Sequence, residues 1–343
     1  ESRTPRQSTE QQQSTERVPG EPRSTISPLP CGRIRGVKSR VKLGVAIPQT
    51  VVQGPIQIRA IREFLARAEA LGFDSAWVVE QILGSIPSLE PLELLTYASA
   101  LTERMRLGSA VLLTALRSPV HLAKSLATLD HLSGGRLTVG VGLGGNPRIY
   151  PAFGITAERR AERFAEGVRL IKRLWTEDRV TFEGAFWKLQ NASMQPKPVQ
   201  KPHPPLWFGA HHPNALKRTV ELGDGFIGAG SISTKEFLEE VTLLRALLRD
   251  AGRDPAAFPV GKRVYIAVDR DRARAGRRLG EWFGAFYGRP ELAAEVSVWG
   301  EPAECVDRLA EIVAGGAGFL MLNPVFDELQ QLEVFAAELA PKL

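Results

Sequence analysis

The sequence predicts an α/β protein that folds as one closed (β/α)8 TIM barrel with an insertion after a central strand. Short apolar runs alternate with amphipathic helical stretches from Val41 to the C-terminus, and about eight such units fit into roughly 300 residues. An open doubly wound sheet would carry a G-x-G-x-x-G turn directly after its first strand, whereas this chain has AIPQTVVQG there. The length and the missing turn together favour the closed barrel.

The first half of the chain supplies four strand–helix units. Each predicted strand is a short apolar run, and each predicted helix repeats its apolar residues every three or four positions. Pro91 is typical of a first helical turn, and Gly72 and Gly134 are typical helix ends. The predicted strands lie at 41–47, 75–79, 106–114 and 136–142, and the helix after the fourth strand runs from 157 to 175.

The alternation breaks once and then resumes. Residues 180–189 (VTFEGAFWKL) alternate in polarity around Glu183-Gly184, which indicates a β-hairpin insertion. We expect the insertion at 179–204 and the segment 282–300 to form a lid over a partly apolar substrate, given Trp187, Trp282, Phe286 and Tyr287. The second half contains predicted strands at 205–209, 224–230, 260–268 and 319–326, and helices at 213–222, 234–250, 302–314 and 327–340.

The N-terminal segment differs from the rest in composition. Residues 1–38 are rich in Ser, Gln, Arg and Pro, so we expect a disordered basic leader followed by one barrel domain at 39–343. Residues 1–42 hold nine Lys/Arg and four Glu, while the rest holds 35 Lys/Arg and 34 Asp/Glu. Because that body is nearly neutral, it offers no broad surface for nucleic-acid phosphates.

The chain is expected to be cytoplasmic and to have no membrane partner. No apolar stretch approaches the ~20 residues of a transmembrane helix, and the N-terminus lacks the apolar segment of a signal peptide. The chain has only two cysteines, Cys31 and Cys305, which indicates free thiols in a reducing compartment.

The loops that follow the strands hold the candidate site, because a barrel of this kind carries its active site at the C-terminal ends of its strands. Glycines at 142, 144 and 145 remove side chains where the backbone turns sharply or approaches something large and flat. The loops at 209–218 and 228–234 lead into helices whose N-termini suit a phosphate or carboxylate. Helix capping explains any one of their serines, but two such loops side by side favour a phosphorylated ligand.

The sequence lacks the motifs of metal-dependent and of nucleophilic catalysis. His211 and His212 are adjacent rather than spaced as metal ligands, so no metal site is predicted. No G-x-S-x-G motif occurs, and neither cysteine follows a predicted strand. A cleft with a phosphate seat and no nucleophile is typical of an enzyme whose organic cofactor does the chemistry.

Several segments resemble the luciferase-like oxidoreductases. LDHLSGGRLTVGVG at 129–142 and the LW–T–E–VTFEG pattern at 174–184 carry the resemblance most specifically, and it extends from about Val41 to the C-terminus. The resemblance implies a (β/α)8 barrel, often homodimeric, that binds FMN or coenzyme F420 and acts on a small-molecule substrate.

The resemblance also assigns residues to the cofactor. The end of the first strand would back the flavin ring, and the segment 113–115 would lie near a strained or cis non-proline peptide behind it. The glycine-rich loop and a following tyrosine would border the ribityl chain, and the loop from 209 would reach the phosphate. In this sequence these positions are Ala46, Ile47 and Pro48; Thr114; Gly142, Gly144, Gly145 and Tyr150; and Gly209, Ala210 and His211.

Two departures from the family pattern narrow the expected activity. Where many deazaflavin-dependent dehydrogenases carry an acidic residue followed by His, this chain has Glu80-Gln81, and where they carry a catalytic Glu it has Gly145. Gln cannot exchange a proton near neutral pH. We therefore expect a reductase that passes hydride from reduced F420 to an activated acceptor; the alternatives are an FMN-dependent monooxygenase and a flavin-binding protein without turnover.

Glu80 and Gln81 are the candidate catalytic residues at the end of the second strand. Glu80 would orient the substrate or relay a proton. Alternatively, it would be a structural carboxylate that pairs with an arginine or accepts backbone amides.

Overall fold

The protein folds as a closed eight-stranded parallel barrel within residues 41–343, the part of the chain that the computed structural model describes. The predicted leader at 1–38 lies outside the described residues, and its disorder stays a prediction. The strands, in chain order, are β1 (Lys42–Ala46), β2 (Ser75–Val78), β3 (Arg106–Ser109), β4 (Leu112–Leu113), β5 (Leu137–Gly142), β6 (Val180–Glu183), β7 (Lys188–Ala192), β8 (Leu206–Phe208), β9 (Gly225–Gly228), β10 (Val260–Val268), β11 (Val298–Gly300) and β12 (Phe319–Asn323).

Hydrogen bonding runs continuously around the barrel in the order β1, β2, β3, β5, β8, β9, β10 and β12, with β4 continuing β3 beside β5. The barrel closes where β12 pairs with β1, with Phe319 opposite Lys42 and Leu322 opposite Val45. All of these pairs are parallel, so every strand delivers its C-terminal end to the same face. Strand β11 extends the sheet outside the barrel along the last residues of β10.

Helices follow the strands and cover the barrel, as the alternation predicts. They are α1 (Ile58–Ala70), α2 (Pro91–Leu101), α3 (Pro119–Leu132), α4 (Arg160–Thr176), α5 (Pro213–Leu222), α6 (Thr234–Asp250), α7 (Arg272–Tyr287), α8 (Leu292–Val296), α9 (Pro302–Ala314) and α10 (Glu328–Val334). Four of them begin with proline, whose missing N–H has no partner to lose in a first helical turn. None of the helices within residues 41–343 has the length and apolarity that a membrane crossing requires.

Three aromatic rings fill the barrel below the C-terminal face. Trp77, Trp207 and Phe319 lie with ring centroids 5.0–5.8 Å apart. Glycines on neighbouring strands make room for them: a Cβ atom at Gly225 would lie 2.6 Å from the Trp207 indole nitrogen, and one at Gly261 would lie 2.8 Å from the Phe319 ring. Because real Cβ atoms do not approach so closely, only glycine at these positions leaves room for the three aromatic rings.

The predicted insertion is present between α4 and β8. Its strands β6 and β7 form an antiparallel hairpin, and the Glu166 carboxylate on α4 accepts hydrogen bonds from the amides of Ala185, Phe186 and Trp187 at 2.9–3.0 Å. Trp187 packs at Gly167 of the same helix. The hairpin is therefore held against α4 on the outside of the barrel. The prediction that it forms a lid is wrong for the two cavities described below, because no residue of 179–204 lines either of them.

The predicted third strand is interrupted. The sequence favours one strand over 106–114, but the chain bends after Ser109 and resumes only at Leu112–Leu113. A cis peptide bond joins Ala110 to Val111 in this break. The expected non-proline cis peptide at the end of the third strand is thus present, and it precedes the segment 113–115, because an apolar run gives no sign of where a strand bends.

Candidate active site

A cavity of about 680 Å³ opens at the C-terminal ends of the strands. Its wall comes from the loops after β5, β8 and β9, from the break between β3 and β4, and from α4, α5, β10 and α7. Six of the predicted cofactor residues line it: Gly142, Gly144, Gly145, Gly209, Ala210 and His211.

A smaller cavity of about 30 Å³ lies at the end of β1. It is lined by the predicted residues Ala46, Ile47 and Pro48, and by aromatic side chains that include Trp77, Trp282 and Phe286. Nine of the eleven predicted cofactor residues therefore form two groups at this face, and Arg263 of β10 lines both cavities.

Two predicted cofactor residues lie behind the wall. The Tyr150 hydroxyl donates a hydrogen bond to the Leu143 carbonyl at 3.0 Å, which supports the glycine-rich loop from its buried side. Thr114 is also buried, and its hydroxyl has no hydrogen-bond partner within residues 41–343. Neither residue lines either cavity, so a role for them as cofactor contacts stays a prediction.

The glycine-rich loop suits close approach by a flat group. Gly144 has a φ of +73°, a conformation that side chains rarely adopt. A Cβ atom at Gly145 would meet nothing within 4 Å, because it would enter open space beside the cavity. The backbone N–H groups of Gly145, Ala210 and His211 have no acceptor within residues 41–343. A bare, donor-rich wall of this kind accommodates a planar ring and oxygen atoms.

The two predicted anion seats are already capped by the chain. At the start of α5 the amide of Asn214 donates to His212 Nδ1 at 3.2 Å, and at the start of α6 Ser233 and Glu236 form a reciprocal capping box. These caps take part of the hydrogen-bonding capacity that the sequence suggested for phosphate. The helix dipole of α5 still points at the cavity, which Asn214 and Ala215 line.

Unpaired cations supply the positive charge. Arg160 at the start of α4, Arg218 on α5 and Arg263 on β10 are half-buried and line the large cavity. No carboxylate of residues 41–343 lies within 4 Å of their guanidinium nitrogens, and no acidic residue lines the large cavity within the described chain. The cavity therefore favours an anionic ligand.

A partly buried polar cluster lies beside the loops after β8 and β9. His211 Nδ1 is 3.0 Å from Glu240 Oε1, while Glu240 Oε2 is buried without a partner among the described residues. Lys262 donates to the carbonyls of Ala229 and, at 3.0 Å, Ile232, and burial lowers its pKa to about 7 despite the attraction of Glu240. Hydrogen bonds of His211 and Lys262 thus connect the loops after β8 and β9 to α6 and β10. The Glu240 and Lys262 side chains are buried, whereas His211 is half-exposed.

The candidate catalytic residues lie outside the cavities. Glu80 has a fully buried carboxylate that accepts hydrogen bonds from Arg117, one of them 3.1 Å from Nε, and from the Leu113 amide. Burial raises the pKa of the Glu80 carboxyl, and the Arg117 charge opposes that shift. The Gln81 side-chain oxygen is buried without a partner within residues 41–343. These contacts favour the structural alternative for Glu80.

The sequence does not predict four polar side chains that line the large cavity. They are the guanidinium groups of Arg160, Arg218 and Arg263 and the hydroxyl of Tyr287, a residue expected only in a lid. One signal was present: Lys262 and Arg263 interrupt the apolar strand VGKRVYIAV, where charged residues seldom lie unless they are paired or functional. Arg160 and Arg218 lie on helices among other basic residues, and nothing in the sequence distinguishes them.

Comparison with known proteins agrees with this architecture. The profile of the luciferase-like monooxygenase family matches residues 41–294. An F420-dependent glucose-6-phosphate dehydrogenase of Beutenbergia cavernae is 30% identical over 320 residues, which cover 83% of this chain and 93% of the relative. Another enzyme of that name, from Kineococcus radiotolerans, is 34% identical over 235 residues, or 65% of this chain and 68% of the relative.

Solved structures give the same fold. A monooxygenase from Streptomyces bottropensis superposes with a TM-score of 0.77 at 26% identity, covering 88% of this chain and 99% of that one. An F420-dependent secondary alcohol dehydrogenase superposes with a TM-score of 0.79 at 20% identity, covering 89% and 100%, and at that identity it supports the fold alone. From the matched profile and the matched curated relatives, the chain belongs to the luciferase-like monooxygenase family.

Proposed function

We propose that this protein transfers a hydride between coenzyme F420 and a small organic substrate. The observation that carries the proposal is the relative of 30% identity that matches over 93% of its own length and is named as F420-dependent. The second relative, at 34% identity, has the same name. The family profile, which matches residues 41–294, spans every residue that lines the large cavity.

The residues of the cavity fit such a cofactor. A volume of about 680 Å³ is within the range of small-molecule and cofactor sites. The glycines at 142, 144 and 145 leave a flat surface for a ring, and Arg160 and Arg218 offer unpaired charge to an anionic tail. When bound, the cofactor would supply a hydride, which is two electrons and one proton; the protein's residues would bind and orient the reactants.

We infer the direction of transfer from the composition of the cavity. Oxidation of an alcohol needs a base for the hydroxyl proton. No acidic residue of the described chain lines the large cavity, and the Nδ1 atoms of its two histidines, His211 and His212, are already in hydrogen bonds. Gln81 and Gly145 supply no replacement. Reduction of an activated acceptor needs a hydride donor and hydrogen-bond donors instead, which the cavity's composition suits, so we propose a reductase.

Cofactor titration tests this proposal. The purified full-length chain would be titrated with oxidised F420 and, in parallel, with FMN, with binding followed by cofactor fluorescence. We expect F420 to bind and FMN to bind more weakly. Binding of FMN alone would reject the deazaflavin cofactor, and oxidation of reduced F420 by an added acceptor, followed at the cofactor absorbance, would then separate a reductase from a protein that only binds.

FMN-dependent monooxygenation is the second candidate. The observation that favours it is the 26% identity to a solved monooxygenase over 88% of the chain. The same cavity would accept a flavin phosphate at Arg218. Consumption of oxygen in the presence of reduced FMN and a substrate would support this alternative and is not expected of a strict F420 reductase.

We further propose a cytoplasmic homodimer acting on a small molecule, without nucleic-acid partners. The buried free thiol of Cys305 is consistent with a reducing compartment. Exposed apolar side chains such as Leu83 and Leu132, which are 53% and 57% exposed, offer surface for self-association. Light scattering of the purified chain would measure the oligomeric state, and a monomer at all concentrations would reject the dimer.

A further inference from the structure

Three side chains form a hydrogen-bonded chain at the mouth of the barrel. Arg263 Nη2 donates to the Tyr265 hydroxyl at 2.7 Å, and that hydroxyl is 2.8 Å from the Tyr287 hydroxyl. Arg263 Nε donates to Asn323 Oδ1 at 2.8 Å, which fixes the guanidinium. Both ends of the chain line the large cavity, while Tyr265 between them is fully buried.

The direction of this chain is determined by the chemistry of its members. Arginine can only donate, so the Tyr265 oxygen must accept from it. The Tyr265 proton has no acceptor within residues 41–343 other than Tyr287, and leaving it unpaired in a fully buried position would be costly. Tyr265 therefore donates to Tyr287. The Tyr287 proton has no acceptor in the described chain and is left for a ligand.

The positive charge of Arg263 lies at the other end of this hydrogen-bonded chain from the Tyr287 hydroxyl. Arg263 has no carboxylate partner in the described chain, and its guanidinium carbon lies 4.6 Å from the centre of the Tyr265 ring. Hydrogen bonds in a series that begins at a cation polarise one another, so the last hydroxyl becomes a stronger donor. Such a donor suits an oxygen atom on which negative charge develops.

Aromatic side chains line the small cavity, which shares Arg263 with the large one. Trp282 and Phe286 are stacked, with centroids 4.7 Å apart and planes 16° from parallel, and both line the small cavity that Arg263 also lines. Tyr287 packs edge-on against Phe286 at 4.8 Å. Flat rings prefer other flat, unsaturated groups as partners.

From this arrangement we propose that Tyr287 binds the carbonyl oxygen of a planar, α,β-unsaturated ketone or aldehyde, and that such compounds are the substrate class. The proposal rests on the proposed reductase function and specifies its acceptor. Arg263 and Tyr265 are positioning residues, since they act on the substrate through Tyr287.

The reaction balances with the reduced cofactor as reductant. Hydride addition at the β-carbon moves the carbon–carbon π pair through the conjugated system onto the carbonyl oxygen. Tyr287 stabilises the resulting enolate oxygen by its O–H, and a proton from water is added at the α-carbon. The substrate gains two electrons and two hydrogens, and the cofactor is left oxidised.

The test is a comparison of binding, without turnover. The probes are benzylideneacetone and the hydrocarbon of the same shape in which a methylene group replaces the carbonyl oxygen. Their affinities would be measured by calorimetry on the full chain, both alone and saturated with oxidised F420. The variants are Tyr287→Phe, which keeps the ring, and Tyr97→Phe, a matched change at an α2 hydroxyl that accepts from Arg62 and lines neither cavity.

We expect the wild type and Tyr97→Phe to bind the ketone more tightly than the hydrocarbon. Tyr287→Phe should lose about 3- to 10-fold in ketone affinity, as expected for one neutral hydrogen bond, and should leave hydrocarbon affinity unchanged. Arg263→Gln should reduce the same preference. Because a general structural defect would weaken both probes equally, the ratio isolates the hydroxyl.

Two results would overturn the proposal: a wild type with no preference for the ketone, and a folded Tyr287→Phe that keeps the full preference. Failure of the proposed function would be seen differently, as a protein that does not bind F420. In that case the measurements on the cofactor-free protein would still show whether the preference for the ketone depends on Tyr287.

Discussion

Glu80 is held by two kinds of partner that a catalytic carboxylate would not need. Its buried oxygens accept from Arg117 and from the Leu113 amide, and Arg117 also contacts Glu90 at the start of α2. The carboxylate thus ties the end of β2 to the segment after the β3–β4 break. Glu80 thus follows a strand, as a catalytic residue of a barrel would, but its contacts stabilise the loops around the site.

Replacing Glu80 by Gln should therefore lower stability and leave turnover unchanged. Loss of one partner of a buried ion pair costs about 3 kcal/mol when the other charge keeps some contact, as Arg117 does with Glu90. A thermal melt and single-turnover oxidation of reduced F420 by an accepted substrate would be measured on the same variant. A fall of roughly 10²–10⁴-fold in rate at unchanged stability would instead establish Glu80 as a general acid or base.

Lys262 gives a pH dependence whose sign can be stated. Its pKa is about 7 in the folded protein against 10.5 ordinarily, so between these values the unfolded chain binds the extra proton. The free energy of unfolding therefore rises with pH through this window, by at most ~1.4 kcal/mol per pH unit from this group. Below the window both states are protonated and the full cost of the buried charge is present.

The measurement is the free energy of unfolding of wild type and Lys262→Met from pH 7 to 9. The difference between them should shift in favour of the wild type as pH rises. Lys235→Met, an exposed change on α6, should give a curve parallel to the wild type. Parallel curves for Lys262→Met as well would mean that the buried lysine keeps its ordinary protonation.

Arg218 is expected to hold the anionic part of the cofactor. Arg218→Ala should weaken F420 binding by roughly 10- to 100-fold, the range for a hydrogen bond to a charged group. The matched control is Arg169→Ala on α4, an exposed arginine that already pairs with Glu221 and lines neither cavity. Equal affinities for the two variants would move the anion site elsewhere.

At the scale of elements, the glycine-rich loop after β5 is the part of the wall that the sequence identified best. The absence of a side chain has a different physical reason at Gly144 than at Gly145. Gly144 has a left-handed φ of +73° and a Cβ there would lie 2.8 Å from the Leu113 side chain, whereas Gly145 has open space around it. A substitution at Gly144 would both strain the backbone and place a side chain near the cavity. A substitution at Gly145 therefore tests more directly whether the loop contacts the cofactor.

Gly145→Val should weaken F420 binding by about 10-fold through overlap with the ligand, with little change in melting temperature. Gly154→Val provides the reverse case, because Gly154 has a φ of +67° but lines neither cavity. That variant should melt lower and bind normally. If Gly145→Val binds F420 as the wild type does, the loop's glycines serve only the turn.

At the scale of the whole molecule, the barrel domain should be independent of the N-terminal segment. Residues 1–38 have a composition that cannot bury enough apolar surface to offset the entropy of ordering. Deleting them should leave melting temperature and F420 affinity nearly unchanged. A large drop in either quantity would assign the segment a part in the fold or the site.

The sequence predicts the barrel from its apolar periodicity and its turn residues, because both are local properties of each strand–helix unit. It also located the glycine-rich loop and the loop from 209, since strand ends in a parallel barrel meet on one face. Which polar side chains come into contact is seen only in the folded chain. Glu80 and Arg117 are 37 residues apart, and Arg263 and Asn323 are 60 apart. Such pairs depend on barrel closure and strand register, which no local pattern encodes.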